Sequence, residues 1–399
     1  MKKIFISTVL VLSSVSLFAQ DTISYSKSYY LGFGLPYYNS TSLQKENFIS
    51  ANKAIIYGLR QSDRIFKETK ANPLQIGFRL IRSLALDFPI SFYAAEIPHE
   101  IGHGTPAANY GGSYSYSIGF PPLPYNFNYS SSASWSGFDE VPEEIQEEWS
   151  NHAYANGLQT EKYIGRSIKE KYWNSNYIDY DDATLLLKTD YAPMWYVLFL
   201  PASSGGTDII RVLERYKVFD PNIILTEKKI QRKTFFINSL NPINILTWYT
   251  LGKYIVTGEA STKLPSIKIG NKLEYLPGLS YDFTGFGEEF LLDNYYRFGD
   301  KSGVLTIGYG TVLSKYRFAF SMNNVWKSSN QKHNFGFDLN IWEQRDFGIS
   351  PKLNYHLSIK KNFGLYTSFG HKSYGYLNGY GLKESLLLDF GLYFSVLKK

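Results

Sequence analysis

Cysteine is absent from the 399 residues. That excludes disulfides, thiolate metal sites, iron–sulfur clusters and a cysteine nucleophile, so a metal in this chain is held by His, Asp or Glu. Histidine is scarce, with six residues. Charge of one sign is not in large excess either. Lys and Arg number 41 against 35 Asp and Glu, a net +6 that is not clustered and does not point to a nucleic-acid partner. Clean apolar runs are also missing. Residues 74–97, 183–200 and 235–256 are apolar but interrupted, the first by Arg79, Arg82 and Asp87, the second by Lys188 and Asp190, the third by Asn238, Asn241 and Asn244. None offers about 18 uncharged apolar residues in succession, so buried or membrane-surface helices are expected.

What is abundant is aromatic: 17% of the chain, with 34 Tyr, 28 Phe and 7 Trp. A chain 44% hydrophobic and 19% charged is not disordered, and its length suits two or three domains. Residues 1–20 begin with Lys2 and Lys3, continue through an apolar stretch and end Ala19-Gln20, the pattern of a secretory signal peptide. An exported chain without cysteine fits the outer membrane or periplasm of a Gram-negative bacterium.

Residues 21–260 read as mainly helical, with a helix over 43–69 and a Gly/Ser/Tyr/Pro-rich loop at 111–137. After Ser261 the period changes to two. Tyr316, Phe318, Phe320 and Met322 alternate with Arg317, Ala319 and Ser321, and Leu353, Tyr355, Leu357 and Ile359 with Asn354, His356 and Ser358. Nine such segments, the eighth at 374–382, separated by turn signals, predict an antiparallel β-barrel of 8–10 strands over 261–399. One aromatic-rich face and one face of Gly, Ser and Asn suit a transmembrane barrel contacting outer-membrane lipid, since only a closed sheet satisfies its backbone in hydrocarbon.

One motif carries chemistry. His99-Glu100-Ile101-Gly102-His103 is His-Glu-x-x-His, which on a helix stacks two imidazoles on one face to bind Zn²⁺, with Glu100 as general base toward zinc-activated water. A chance pair on a polar helix face is the bland alternative. A third histidine six residues after His103 is excluded, because position 109 is Asn. Glu161, in the first turn of a helix expected from Gly157 to Trp173, is a candidate third ligand. His152 is the alternative, either as ligand or as a hydrogen-bond donor to a tetrahedral intermediate. Asp208 is a further candidate. Pro98 and Pro106 predict a catalytic helix that is short or kinked at both ends.

The motif resembles the zincin metallopeptidases. More locally, His99 to His103 with Ala107, Gly111 and Ile118-Gly119-Phe120-Pro121 resembles the first zinc motif of the site-2 protease family. That resemblance implies a third ligand from an Asp in a later Leu-Asp-Gly. No Leu-Asp-Gly occurs here, and the nearest segment is Ser203-Ser204-Gly205-Gly206-Thr207-Asp208. The expectation is therefore an α+β chain: a mainly helical, zincin-like domain at 21–260 followed by the β-barrel. It would act as a zinc-dependent metallopeptidase on a peptide or protein substrate. The competing expectation is a non-enzymatic outer-membrane barrel, a pore or adhesin, in which the motif is incidental.

Overall fold

The computed structural model describes residues 26–34, 40–65, 72–108, 112–118, 131–136, 141–199, 207–360, 362–377 and 382–397. The expected signal segment lies outside them. In chain order the elements are β1 (Ser26–Gly34), α1 (Ser40–Arg60), α2 (Pro73–Arg82), α3 (Phe88–Ala108), β2 (Tyr114–Ile118), β3 (Ser131–Trp135), α4 (Gln146–Ser175), β4 (Tyr177–Asp179), α5 (Tyr180–Asp190), α6 (Ala192–Phe199), α7 (Asp208–Phe219), α8 (Glu227–Ser239) and α9 (Pro242–Thr257). Ten strands follow among the described residues: β5 (Ser261–Lys263), β6 (Ile267–Ile269), β7 (Leu273–Thr284), β8 (Gly287–Phe298), β9 (Lys301–Gly310), β10 (Tyr316–Lys327), β11 (His333–Glu343), β12 (Phe347–Lys360), β13 (Phe363–Lys372) and, completing the sheet, β14 (Ser385–Leu397).

The period-two segments pair as antiparallel neighbours in the order β1-β14-β13-β12-β11-β10-β9-β8-β7-β6. The α+β class and the strand count are as expected, but the sheet is open: among the described residues β1 and β6 do not pair. Two expected elements also differ. β1, in a stretch read as mainly helical, joins the sheet beside β14 with Ser26 opposite Leu397. Residues 374–377, expected to be strand, form a turn that buries Tyr376 and Leu377, while 378–381 lie outside the described residues.

The free edge of β7 has a different closure. The backbone N–H of Tyr281 donates to Asn238 Oδ1 at 2.8 Å, and Asn241 Nδ2 donates to the Leu279 carbonyl at 3.2 Å. Asn238 closes α8, and Asn241 caps α9 by accepting from the Ile243 N–H at 3.0 Å. Helix termini thus supply two of the bonds an eleventh strand would have made.

The helices fill the concave side of the sheet rather than forming a separate body. Ile164, Ile168, Tyr172 and Trp173 of α4 share a core with Leu276, Tyr295 and Val304 of the strands. The expected boundary near residue 260 is bridged in both directions, by β1 and by the pairing of β4 with β5. The expected loop at 111–137 contains the β2–β3 hairpin.

Polarity runs opposite to a water-soluble sheet. The buried face of the strands carries Ser280, Asp282, Asp293, Thr306, Arg317 and Ser350, while Leu279, Ile307, Phe318, Leu353, Leu365 and Phe369 point outward and are exposed. The enclosed charges are paired. Asp190 accepts from Lys169 Nζ at 2.9 Å and lies 3.3 Å from Lys162 Nζ, and Asp282 accepts from Arg166 at 2.9 Å. Pairing is what makes such burial tolerable, since an unpaired interior charge costs several kcal/mol, roughly.

The helix bearing the motif is not short. α3 runs unbroken from Phe88 to Ala108 through both prolines. Proline at 106 cannot donate to the carbonyl four residues back, at Gly102. Asn156 of α4 supplies the missing bond, its Nδ2 donating to Gly102 O at 2.7 Å, and Trp149 Nε1 donates to Pro106 O at 3.0 Å. Gly102 is required at this crossing, because a Cβ there would lie 2.7 Å from Asn156 O. Neighbouring side chains therefore absorb the defect that proline introduces.

Candidate metal centre

The centre lies where α3 crosses α4. His99 and His103 are one turn apart and buried, their ring centroids 4.8 Å apart and their Nε2 atoms 3.1 Å apart. Their outer nitrogens are both engaged by α4. His103 Nδ1 faces the Ala153 carbonyl at 2.7 Å, so it carries the proton and donates. His99 Nδ1 donates to Glu161 Oε1 at 2.8 Å, while Glu161 Oε2 accepts from Lys188 Nζ of α5 at 2.7 Å. Both Nε2 atoms are thereby left as lone-pair donors aimed at one point.

Asp208 supplies the third atom. As the first residue of α7, behind Thr207, whose side chain accepts from the Ile210 N–H, it is fixed at a capped helix start. Its Oδ2 lies 3.2 Å from His99 Nε2 and 3.2 Å from His103 Nε2. Tetrahedral coordination at about 2.0–2.1 Å separates ligand atoms by roughly 3.3 Å, so the triangle has the spacing of a tetrahedral metal site. Two lone pairs and a carboxylate facing each other repel unless a cation or protons sit among them. Space for such a centre is kept by Gly157, where a Cβ would fall 2.5 Å from both Nε2 atoms.

The electrostatics agree. Burial opposes charge on His99, but Asp208 and Glu161 hold its pKa well above the ordinary imidazole value. Burial likewise opposes charge on His103, whose pKa Asp208 raises. Burial works against ionisation of Glu161 and Asp208, yet Lys188 and the imidazoles keep both carboxyls below their ordinary range. The pocket attracts positive charge.

Tyr196 of α6 completes the surround. Its ring stacks on His99 at 5.1 Å and 17°, and its hydroxyl lies 2.7 Å from His99 Nε2. Burial, reinforced by Asp208 and the glutamates, pushes its pKa well above the usual phenol value, so it keeps its proton at neutral pH. Glu100 is buried on α3, and its charge acts on both His103 and Tyr196.

Of the residues singled out in the sequence, His99, Glu100 and His103 are together. Glu161 reaches the centre, but not as the third ligand: its oxygens are turned to His99 Nδ1 and Lys188, on the side of the ring away from the shared point. It orients the imidazole, as carboxylates beside metal-binding histidines do. His152 is turned elsewhere. Five residues along a helix rotate about 140° net, and His152 packs against Tyr376 at 5.3 Å while Gly157 faces the imidazoles. Gly157 also does not begin a helix. It sits inside α4, which starts at Gln146, so Glu161 is in mid-helix. Tyr196, Lys188 and Asn156 had no signal in the sequence beyond their residue type.

Comparison of the chain with protein-family models, with curated proteins and with solved structures returns no match. The residues themselves define the class: an α+β protein in which buried His99 and His103 and half-buried Asp208 form a group able to hold a metal ion.

Proposed function

We propose that this chain is a zinc-dependent hydrolase, a metallopeptidase acting on peptide or protein, carried to the outer membrane by an amino-terminal export signal and held there by the sheet. The observation that carries the chemistry is the triangle of His99 Nε2, His103 Nε2 and Asp208 Oδ2, with sides of 3.1, 3.2 and 3.2 Å, on a helix that also presents Glu100. Two imidazoles and one carboxylate form a borderline donor set suited to zinc.

Zinc held there supplies a Lewis acid for a carbonyl oxygen and brings the pKa of water toward neutrality. Glu100 takes the proton from the attacking water and returns it to the leaving nitrogen. Tyr196, protonated at neutral pH, donates a hydrogen bond to the oxygen on which charge develops. Glu161 and Lys188 hold the His99 ring in the tautomer that leaves Nε2 free. The membrane part of the reading is supported by the apolar outer face of the strands, since soluble monomers rarely expose contiguous apolar patches beyond a few hundred Å², roughly.

The test is Glu100→Gln in the full chain, with fluorescein-labelled casein as probe. Hydrolysis falls about 10²–10⁴-fold while zinc content stays at the wild-type level. Unchanged hydrolysis, or wild-type protein without zinc, contradicts the reading.

A further inference from the structure

α8 and α9 pack against β7 and α2 packs on α9, and all three turn large apolar side chains outward and polar ones inward. α9 buries Asn244, Thr247 and Thr250 together with Ile243 and Tyr254, and exposes Ile245, Trp248, Tyr249 and Val256, at 54, 45, 57 and 50%. α2 buries Gln75, Arg79 and Arg82 and exposes Leu74, Leu80 and Ile81. α8 buries Thr234 and Asn238 along with Ile230, and exposes Phe235 and Phe236, with exposed Leu240 just after its end. A helix on a water-soluble protein shows the opposite arrangement.

We propose that these helices face the hydrocarbon of a lipid bilayer and complete, with the sheet, one continuous lipid-contacting wall. The inference rests on the reading that the outer face of the sheet is in the membrane. Three observations name lipid as the occupant. The exposed helix residues lie beside the apolar surface of the strands, at the seam where Asn238 and Asn241 bond the Tyr281 N–H and the Leu279 carbonyl on the free edge of β7. α9 has 16 residues, about 24 Å at 1.5 Å per residue, which matches the roughly 25 Å apolar band of outer-membrane strands. α8 begins with exposed Lys228, Lys229 and Arg232 before its apolar half, the order that places cations at anionic headgroups and apolar side chains below them. No described helix is long and apolar enough to cross a membrane by itself. The wall does not require one, because the inner face of each helix is satisfied by the protein interior.

The absence of cysteine makes the test direct. Ile245→Cys, Tyr249→Cys, Phe369→Cys and Asn330→Cys, each in the full chain, are labelled with a nitroxide and reconstituted in phosphatidylcholine vesicles. Collision with oxygen, which concentrates in hydrocarbon, is compared with collision with a water-soluble nickel chelate. The oxygen-to-nickel ratio at 245 and 249 is several-fold above that at 330 and equals that at 369. A ratio at 245 and 249 like that at 330, with 369 still high, overturns the helical wall and leaves the sheet reading standing. Low ratios at all three overturn both. Shielding of 245 and 249 from both reagents means that another protein surface covers them, and also overturns the proposal.

Discussion

The space between the sheet and α4 and the outer surface of the same sheet are built from the same strands and differ in every other respect. Inside, Asp190, Lys162, Lys169, Asp282 and Arg166 are buried and paired. Outside, Leu353, Leu365 and Phe369 are bare. The usual rule that apolar groups go inward reflects transfer from water. Its inversion here fits the proposed lipid contact of the outer surface, while the interior joins apolar clusters to directional polar contacts. A metal site is at home in such an interior, because a polar cage already aligned for charges needs little further rearrangement to fix ligands.

That contrast can be broken at several points. The largest effect is expected inside. Asp190→Ala leaves Lys162 and Lys169 without their carboxylate and destabilises the fold by about 3–5 kcal/mol in chemical denaturation; a loss below 1 kcal/mol would mean the network is ornamental. Outside, Leu365→Arg at mid-strand costs about 2–4 kcal/mol when folding is measured in bilayers, and a neutral result would place water at that face. At the metal centre Glu161→Gln weakens zinc binding about 10–100-fold without removing it, because the variant loses orientation and not a ligand; complete loss of metal would return Glu161 to the ligand set. The smallest effect is one of pH. Burial opposes ionisation of Asp190, but Lys162, Lys169 and Asn244 hold its carboxyl below the ordinary range. A depressed folded pKa contributes stability that is complete above about pH 4 and is lost as pH falls through the folded value. The stability gap between wild type and Asp190→Asn therefore narrows from pH 4 downward, and a gap that widened would contradict the pairing.

The parts of this molecule that were legible in the sequence are the local ones. Two histidines four apart on a helix, and side chains alternating along a strand, follow from one element's own geometry. The rest depends on what packs against what. Asp208 is 105 residues beyond His103 in number and meets it through the docking of α7, which no spacing rule encodes; it stood only as a further candidate, in the segment nearest to the Leu-Asp-Gly that the site-2 protease resemblance implies. Gly157 read as a helix boundary because glycine is a poor helix former, whereas its missing Cβ makes room for two imidazoles. Pro98 and Pro106 read as breaks, and at Pro106 the orphaned Gly102 carbonyl finds Asn156 on another helix. Period two foretold the strands but not their closure, since the bonds that meet the free edge of β7 come from Asn238 and Asn241, at the ends of helices. Alternation likewise marked an apolar face without saying which way it points.

The central claim is that His99, His103 and Asp208 together hold a zinc ion. Metal content of the purified full chain, measured by mass spectrometry for wild type and Asp208→Ala side by side with circular dichroism of both, tests it most directly. One zinc per chain in the wild type and almost none in a folded Asp208→Ala is the predicted result. Zinc retained at full stoichiometry in Asp208→Ala, or absent from the wild type, would contradict it.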